Sequence, residues 1–208
     1  MIFRQRNLLP WVVTMSGEPR VYFDACCFID MVSHDLSVGV RLDRASHVHY
    51  CRNFLEAAKC NEAHVFTSIL AVAECLAIKD ESDPKYPRPV LTDEVKRLFE
   101  GMLMSTKSGV MPVQPTPRIV KAARDLRWGH AATFKPMDSL HIATAIEMKC
   151  GYFLTTDGKL KSENVAIAKT LGLVVCTADS IAHLLPTKYR QLPLTPSKAT
   201  SVSAPAAA

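Results

Sequence analysis

Residues 137–160 read MDSLHIATAIEMKCGYFLTTDGKL, a segment that combines a helix pattern, a strand pattern and two acids. We predict a helix that begins at Asp138 and ends at Gly151, since glycine is a common stop after a helix. The apolar run at residues 152–155 predicts a short strand that ends near Asp157. A helix that leads directly into a short apolar strand is the unit from which parallel α/β sheets are built.

The same alternation extends in both directions along the chain. Further strands are predicted at residues 21–24, 64–67, 110–114 and 173–176, and Pro112 makes the third of these either irregular or a strand near an edge of the sheet. Helices are predicted at residues 28–32, 43–59, 68–79, 92–105, 116–128, 164–171 and 179–185, and a proline-rich loop at 80–89. Alternation of this kind implies parallel pairing through right-handed crossovers. We therefore predict an α/β, Rossmann-like three-layer sandwich with a central, mostly parallel sheet of four to five strands flanked by helices.

Composition narrows the class of protein. The chain has 208 residues, 48% hydrophobic and 22% charged, as in soluble globular proteins, and we expect no membrane association. The seven cysteines include no C-x-x-C pair, so we expect neither a zinc site nor a disulfide framework, and a reducing cytoplasm fits best. The net charge of +5 is compatible with a polyanionic partner but does not establish one.

The chain divides into three segments by composition. We predict an N-terminal extension at residues 1–19, one domain at 20–190, and a disordered tail rich in Pro, Ala and Ser at 191–208. No secretory signal is expected, because the apolar run near the start is short and interrupted by Pro10. Either Met1 or Met15 can be the true start of the protein, and the sequence leaves that choice open.

Four acids are expected near one edge of the sheet, where the carboxyl ends of parallel strands meet. Asp24 ends the first strand and Asp157 follows the fourth; Asp138 begins the preceding helix, and Glu74 lies two turns into the helix after the second strand. Asp138 alone fits a helix cap and Asp157 alone fits a turn. Asp24 and Glu74 lie in apolar sequence without basic neighbours, so we expect a cation to join them. Oxygen ligands of this kind suit Mg²⁺ or Mn²⁺ rather than zinc.

Three segments in this order resemble the PIN-domain family, namely residues 21–30 (VYFDACCFID), 67–74 (TSILAVAE) and 137–160. The resemblance covers roughly residues 20–185. Within the family, the chain is similar to the VapC-like toxin ribonucleases of type II toxin–antitoxin systems. It implies a PIN-like nuclease domain in which Asp24, Glu74, Asp138 and Asp157 are catalytic and hold one or two Mg²⁺ or Mn²⁺ ions. It further implies an endoribonuclease that cleaves RNA phosphodiester bonds, with an antitoxin protein as partner and a homodimeric, cytoplasmic form.

The resemblance also assigns supporting residues. Thr155 matches a hydroxyl that orients the carboxylate of Asp157, whereas Cys26 stands where the family usually has Ser or Asn, which are stronger hydrogen-bonding groups. His141 matches the pattern as well, but it lies one helical turn from Asp138 and can pack or bond locally, so we leave it outside the catalytic set. Asp30 is a candidate fifth acid, for which we expect a partly exposed helical position.

Several alternatives stay open. Lys159 and Lys161 can either contact an RNA backbone or be ordinary solvated lysines. Cys26 favours a second hypothesis, a catalytically weak or inactive PIN-like module that binds RNA or protein, although the four retained acids argue against it. A small-molecule enzyme on a similar sheet is disfavoured, because the sequence has no glycine-rich phosphate loop.

Overall fold

A five-stranded parallel sheet forms the centre of the protein. The computed structural model describes residues 17–80, 88–129 and 134–191, with the backbone alone at residues 164 and 165. The strands are β1 (Arg20–Phe23), β2 (His64–Ser68), β5 (Val110–Val113), β6 (Tyr152–Leu154) and β7 (Val174–Cys176). They follow the order β5-β2-β1-β6-β7, and every neighbouring pair is parallel. The predicted α/β fold with a parallel sheet of four to five strands is therefore confirmed.

Helices cover both faces of this sheet. Their bounds are α1 (Ala25–Asp35), α2 (Ala45–Lys59), α3 (Leu70–Glu74), α4 (Asp93–Leu103), α5 (Pro117–Gly129), α6 (Pro136–Glu147), α7 (Gly158–Ser162) and α8 (Asn164–Leu171). Successive strand residues point to opposite faces, so Phe23 packs with Phe54 in one apolar cluster while Tyr22 packs with Phe153 in another. One cluster lies on each face of the sheet, between the sheet and the helices that cover it. Helices, sheet and helices are the three layers of the predicted sandwich.

The strand β1 lies in the middle of the sheet. Val21, Tyr22 and Phe23 are fully buried, because β2 and β6 pair with β1 on its two sides and apolar clusters cover both faces. The strand β5 lies at an edge with Pro112 opposite Thr67, as the missing N–H of proline requires. Asp24 follows β1 directly and therefore lies at the carboxyl edge of the sheet.

The helix after β2 is much shorter than predicted. It ends at Glu74, and Ile78–Asp80 forms a strand β3 that pairs antiparallel with β4 (Arg88–Val90). The predicted helix to residue 79 and the loop at 80–89 are therefore wrong at these positions, and residues 81–87 lie outside the described residues. The extended backbone lets Ile78 bury completely while Leu76 stays 67% exposed, which a continuing helix would not arrange.

Other helix boundaries also differ from the predictions. The helix α6 has Lys135 at its N-cap, so Asp138 is its third residue rather than its first, and α6 ends at Glu147. Lys149, not Gly151, takes the left-handed backbone conformation after α6, with φ of 55°. The short helix α7 was not predicted, and the last predicted helix is a 3₁₀ segment at Ala178–Leu184.

Three points about the ends of the chain concern residues beyond those described. The N-terminal extension up to residue 16, the choice between Met1 and Met15, and the tail from residue 192 onward all lie outside the described residues. Among the residues that are described, no helix has the length and apolar character needed to cross a membrane.

Candidate metal centre

Asp24 is held at the carboxyl edge of the sheet by bonds to both of its oxygens. As N-cap of α1, its Oδ1 accepts the Ala25 N–H at 2.9 Å, the usual position of an aspartate at a helix start. Its Oδ2 accepts the Thr155 hydroxyl at 2.7 Å. The carboxylate is only partly buried, so it has a fixed orientation and an open side.

Thr155 connects the first acid to the main chain of the fourth. Besides donating to Asp24, its hydroxyl accepts the N–H of Asp157 at 3.0 Å, and the side chain is fully buried. We expected Thr155 to orient the carboxylate of Asp157. That expectation is wrong, because the carboxylate it bonds is that of Asp24, which only the folded chain brings beside β6.

Asp157 has a structural role in addition to any functional one. Its Oδ1 caps α7 by accepting the Lys159 N–H at 2.7 Å and the Leu160 N–H at 3.4 Å. The residue is exposed. Oδ1 of Asp157 therefore accepts the main-chain N–H groups, as expected for a turn residue, and Oδ2 is left for a ligand.

Glu74 is the last residue of α3, not two turns into a longer helix as predicted. Its Oε2 lies 2.7 Å from Nε2 of His141, and 31% of its side chain is exposed. His141 is 1% exposed and sits one turn along α6 from Asp138. His141, which we left outside the catalytic set, is in direct contact with one of the four acids.

Charge effects connect all four acids. Burial raises the pKa of Asp138, and the negative charges of Asp24 and Asp157 raise it further, although Lys135 opposes them. Burial is the largest single effect on His141 and acts to lower its pKa, but the Glu74 hydrogen bond and the negative charges of Asp24, Glu74 and Asp138 together outweigh it, so the pKa of His141 is raised. We call this group of four acids the acidic edge. The charges of these acids shift the pKa values of Asp138 and His141, as expected for groups that surround one site.

Cys26 lies inside the acidic edge. Its Sγ is 3.3 Å from Oδ2 of Asp24 and 3.2 Å from the Thr155 hydroxyl, and it accepts the Thr156 N–H at 3.1 Å. A hydrogen bond with Cys27, burial and the charge of Asp24 all raise the pKa of the Cys26 thiol. The thiol therefore stays protonated and takes the position of the hydroxyl or amide usual in the resembling family.

Asp30 is a structural acid. Arg44 donates to its two carboxylate oxygens at 2.8 and 3.0 Å, and the Thr156 hydroxyl donates at 2.9 Å. The expected partly exposed position on a helix is confirmed, with 12% of the side chain exposed, and the carboxylate is ion-paired there. By contrast, among the described residues no lysine or arginine forms an ion pair with any acid of the acidic edge.

Lys159 and Lys161 both lie on α7, the helix capped by Asp157, and both are exposed. Their ammonium groups are therefore free to meet solvent or a ligand beside the acidic edge.

A second group with metal-ligand chemistry is a core network. Within the described part of the chain, Cys27, His47 and Cys51 are the one group of three or more such side chains whose ligand atoms all lie within 4.8 Å of one another. Nδ1 of His47 accepts the Ala178 N–H at 2.9 Å, so the neutral ring carries its proton on Nε2, which faces Cys51 at 3.4 Å. A histidine ligand needs that nitrogen unprotonated. We therefore interpret this group as hydrogen-bonded packing.

The acidic edge is an open surface. A groove of about 350 Å³ lies between α3 and α4, lined by Val72, Leu76, Leu91, Phe99 and Leu103 among others, and none of the four acids lines it. Each acid of the acidic edge is instead partly or fully exposed. Access of this kind suits a long polymer more than an enclosed small molecule.

The donor set suits a hard divalent cation. Carboxylate oxygens are the preferred protein ligands of Mg²⁺, which keeps several of its own waters and so needs few protein atoms at close range. A cation would also offset the negative charges of Asp24 and Asp157, which add to the effect of burial in raising the pKa of Asp138. The acids of the acidic edge, unlike Asp30, have no arginine to do this.

The comparisons with known proteins agree with this geometry. A family model, the PIN domain, matches residues 21–163, which is more than half of the chain and includes all four acids. Searches of curated proteins and of solved structures returned no match. PIN domains are typically metal-dependent nucleases that use divalent ions. This chain belongs to the PIN-domain family.

Proposed function

We propose that this protein is a Mg²⁺- or Mn²⁺-dependent endoribonuclease that hydrolyses RNA phosphodiester bonds at the acidic edge. The observation that carries the proposal is a set of four acids, coupled through space and without a lysine or arginine ion pair among the described residues, inside a PIN-domain match. Acids arranged in this way cost stability unless they serve a cation.

Asp24, Glu74, Asp138 and Asp157 are the residues that would hold the cation. A divalent ion in such a site supplies an activated water and neutralises charge that develops on the phosphoryl group. Thr155 fixes the rotamer of Asp24 through its hydroxyl, and the Cys26 thiol contacts the same carboxylate oxygen. The chain therefore prepares Asp24 as a ligand before any cation arrives.

The substrate we propose is RNA in an unpaired or looped segment, whose backbone can approach an open, acidic surface. Lys159 and Lys161 are candidates to contact the phosphates that flank the cleaved bond. Their position on α7 next to Asp157 supports this role.

The test is cleavage of structured RNAs by the purified chain with Mg²⁺, with Mn²⁺ and with EDTA. We expect metal-dependent cleavage that Asp24→Asn abolishes, because the amide cannot replace the charge of the ligand. The matched control is Asp43→Asn, since Asp43 is an acid with a 68% exposed side chain outside the acidic edge. Cleavage that survives Asp24→Asn, or an absence of both cleavage and metal binding, would contradict the proposal.

We further propose a cellular role as the toxin of a toxin–antitoxin pair, acting in the cytoplasm as a homodimer and restrained by an antitoxin protein. The support is the resemblance of the three motifs to toxin ribonucleases. Induced expression should arrest growth of a bacterial host, and the Asp24→Asn variant should not. A small reading frame beside this gene whose product restores growth would identify the antitoxin, and equal growth arrest by both variants would refute the role.

Cys26 favours the alternative, a PIN-like module that binds RNA or protein with weak or no cleavage. A thiol is a poorer hydrogen-bond donor than the hydroxyl or amide usual at this position, so the Asp24 carboxylate is less firmly held. Cys26→Ser distinguishes the two functions. If the alternative holds, the wild-type chain binds RNA without cutting it, and Cys26→Ser restores cleavage.

A further inference from the structure

A buried row of hydrogen bonds ends on Glu74. The main-chain N–H of Ser68 donates to Oη of Tyr22 at 2.7 Å, and that oxygen lies 2.6 Å from Nδ1 of His141. Nε2 of His141 then lies 2.7 Å from Oε2 of Glu74. The row crosses from β2 through β1 to α6 and α3, so it joins four elements of the fold.

The direction of these bonds follows from the chemistry of the two ends. An ionised Glu74 carboxylate can only accept, so Nε2 of His141 must carry a hydrogen and donate it. At the other end a main-chain N–H can only donate, so the Tyr22 oxygen accepts there. With a neutral imidazole, the Tyr22 hydroxyl then donates to Nδ1 of His141, and every polar atom of the row has a partner.

The burial of the row makes it rigid. Tyr22 is fully buried and His141 is 1% exposed, and Tyr22 also stacks on Phe153 with the ring centres 5.0 Å apart. Neither ring has room to rotate in such a core. By contrast, Glu74 is partly exposed at the end of the five-residue helix α3, and a solvated glutamate there would sample several rotamers.

We propose that Tyr22 and His141 are positioning residues that fix Oε2 of Glu74 and thereby present its second oxygen to the divalent cation. The inference rests on the proposed role of the acidic edge as a metal site. If Tyr22 and His141 served only to satisfy each other in the core, the row would not need to end on a surface acid. It ends on Glu74, one of the four acids, and His141 lies on the face of α6 that also carries Asp138. Hydrogen bonds to the ligands of a metal commonly change its affinity 10- to 100-fold.

The test is Mn²⁺ binding by the full chain, measured by electron paramagnetic resonance of the free ion, with thermal unfolding to verify that each variant folds. We expect His141→Leu to weaken Mn²⁺ binding about 10- to 100-fold. His141→Gln should recover most of that affinity, because its amide N–H can still donate to Glu74. Tyr22→Phe removes only the hydroxyl and should weaken binding about 5-fold.

Two matched controls separate positioning from general loss of packing. Tyr50→Phe removes a tyrosine hydroxyl that donates to the Arg190 carbonyl at 3.1 Å, and His47→Leu removes a buried histidine that contacts none of the four acids. Both should lower stability while leaving Mn²⁺ affinity unchanged. In a double variant, Tyr22→Phe should add little to the loss caused by His141→Leu, because the two side chains act in series.

The results of these experiments distinguish failure of this inference from failure of the proposed function. Wild-type affinity in folded His141→Leu, or no recovery with His141→Gln, would overturn the inference; if His141→Leu does not fold, wild-type affinity in Tyr22→Phe overturns it instead. A wild-type chain that binds no Mn²⁺ overturns it as well. Mn²⁺ binding that depends on His141 in a chain that cuts no RNA would refute the proposed function alone and leave the inference standing.

Discussion

Replacing Thr155 by Val tests how the fold supports the acidic edge. The substitution keeps the shape of the side chain but removes a buried hydroxyl that donates to Asp24 at 2.7 Å and accepts from Asp157 at 3.0 Å. A hydrogen bond to an ionised group contributes about 1.5–3 kcal/mol, and a buried N–H left without an acceptor costs about 1–3 kcal/mol more. Because Asp157 is exposed, water replaces part of the second loss. We expect the free energy of unfolding to fall by about 2–4 kcal/mol.

Thr144→Val is the matched control. Thr144 is also fully buried, but its hydroxyl donates at 2.7 Å to the carbonyl of Leu140 one turn earlier in α6, which keeps its place in the helix ladder. That variant should lose less than about 1 kcal/mol. The assay is urea unfolding followed by circular dichroism at neutral pH in EDTA, so that no metal contributes. Equal losses in the two variants would refute the argument that Thr155 holds Asp24.

Three further predictions concern charged and titratable groups. Burial lowers the pKa of His47, so the free energy of unfolding should fall as pH drops below about 6.5, where the unfolded chain takes up the proton. In His47→Gln, the urea midpoint should change less between about pH 7 and about pH 5.5 than it does in the wild type. Asp30→Asn should lower the free energy of unfolding by about 1–3 kcal/mol, through its lost ion pair, without weakening Mn²⁺ binding; weaker binding would make it a ligand. Replacing Lys159 and Lys161 by Gln should reduce the slope of the logarithm of the RNA-binding constant against the logarithm of salt concentration by about 0.7 per lost phosphate contact. The control Lys96→Gln on α4 should leave that slope unchanged. An unchanged slope in the Lys159 and Lys161 variant would show that both are solvated lysines.

The predictable part of the fold rests on local patterns. The apolar runs around Val21, Phe66 and Phe153 correspond to strands at the centre of the sheet, and Thr92 caps α4 as expected by accepting the Val95 N–H. Pro112 predicted an edge strand because a proline cannot donate to a neighbour on that side. Each of these depends on chemistry within a few residues.

The wrong predictions arise where distant contacts override local preference. The segment after β2 has a helical composition, yet it leaves the helix at Glu74 because Ile78 is buried in the core beside α1 and pairs opposite Val90. The partly exposed position on α1 expected for Asp30 is confirmed, but its bonds to Arg44 and Thr156 could not be predicted, because those residues lie 14 and 126 positions away. Propensity describes what a segment prefers alone, and tertiary packing decides the outcome.

The acidic edge divides in the same way. The sequence by itself determined which four acids are candidates and which family the chain resembles, because order and spacing of residues are properties of the chain. Only the tertiary structure decided that Thr155 holds Asp24 and that Tyr22 and His141 hold Glu74. Those partners are 131, 119 and 67 positions apart, and hydrogen bonds of under 3 Å between such positions exist only after the sheet has brought β1, β6 and α6 together.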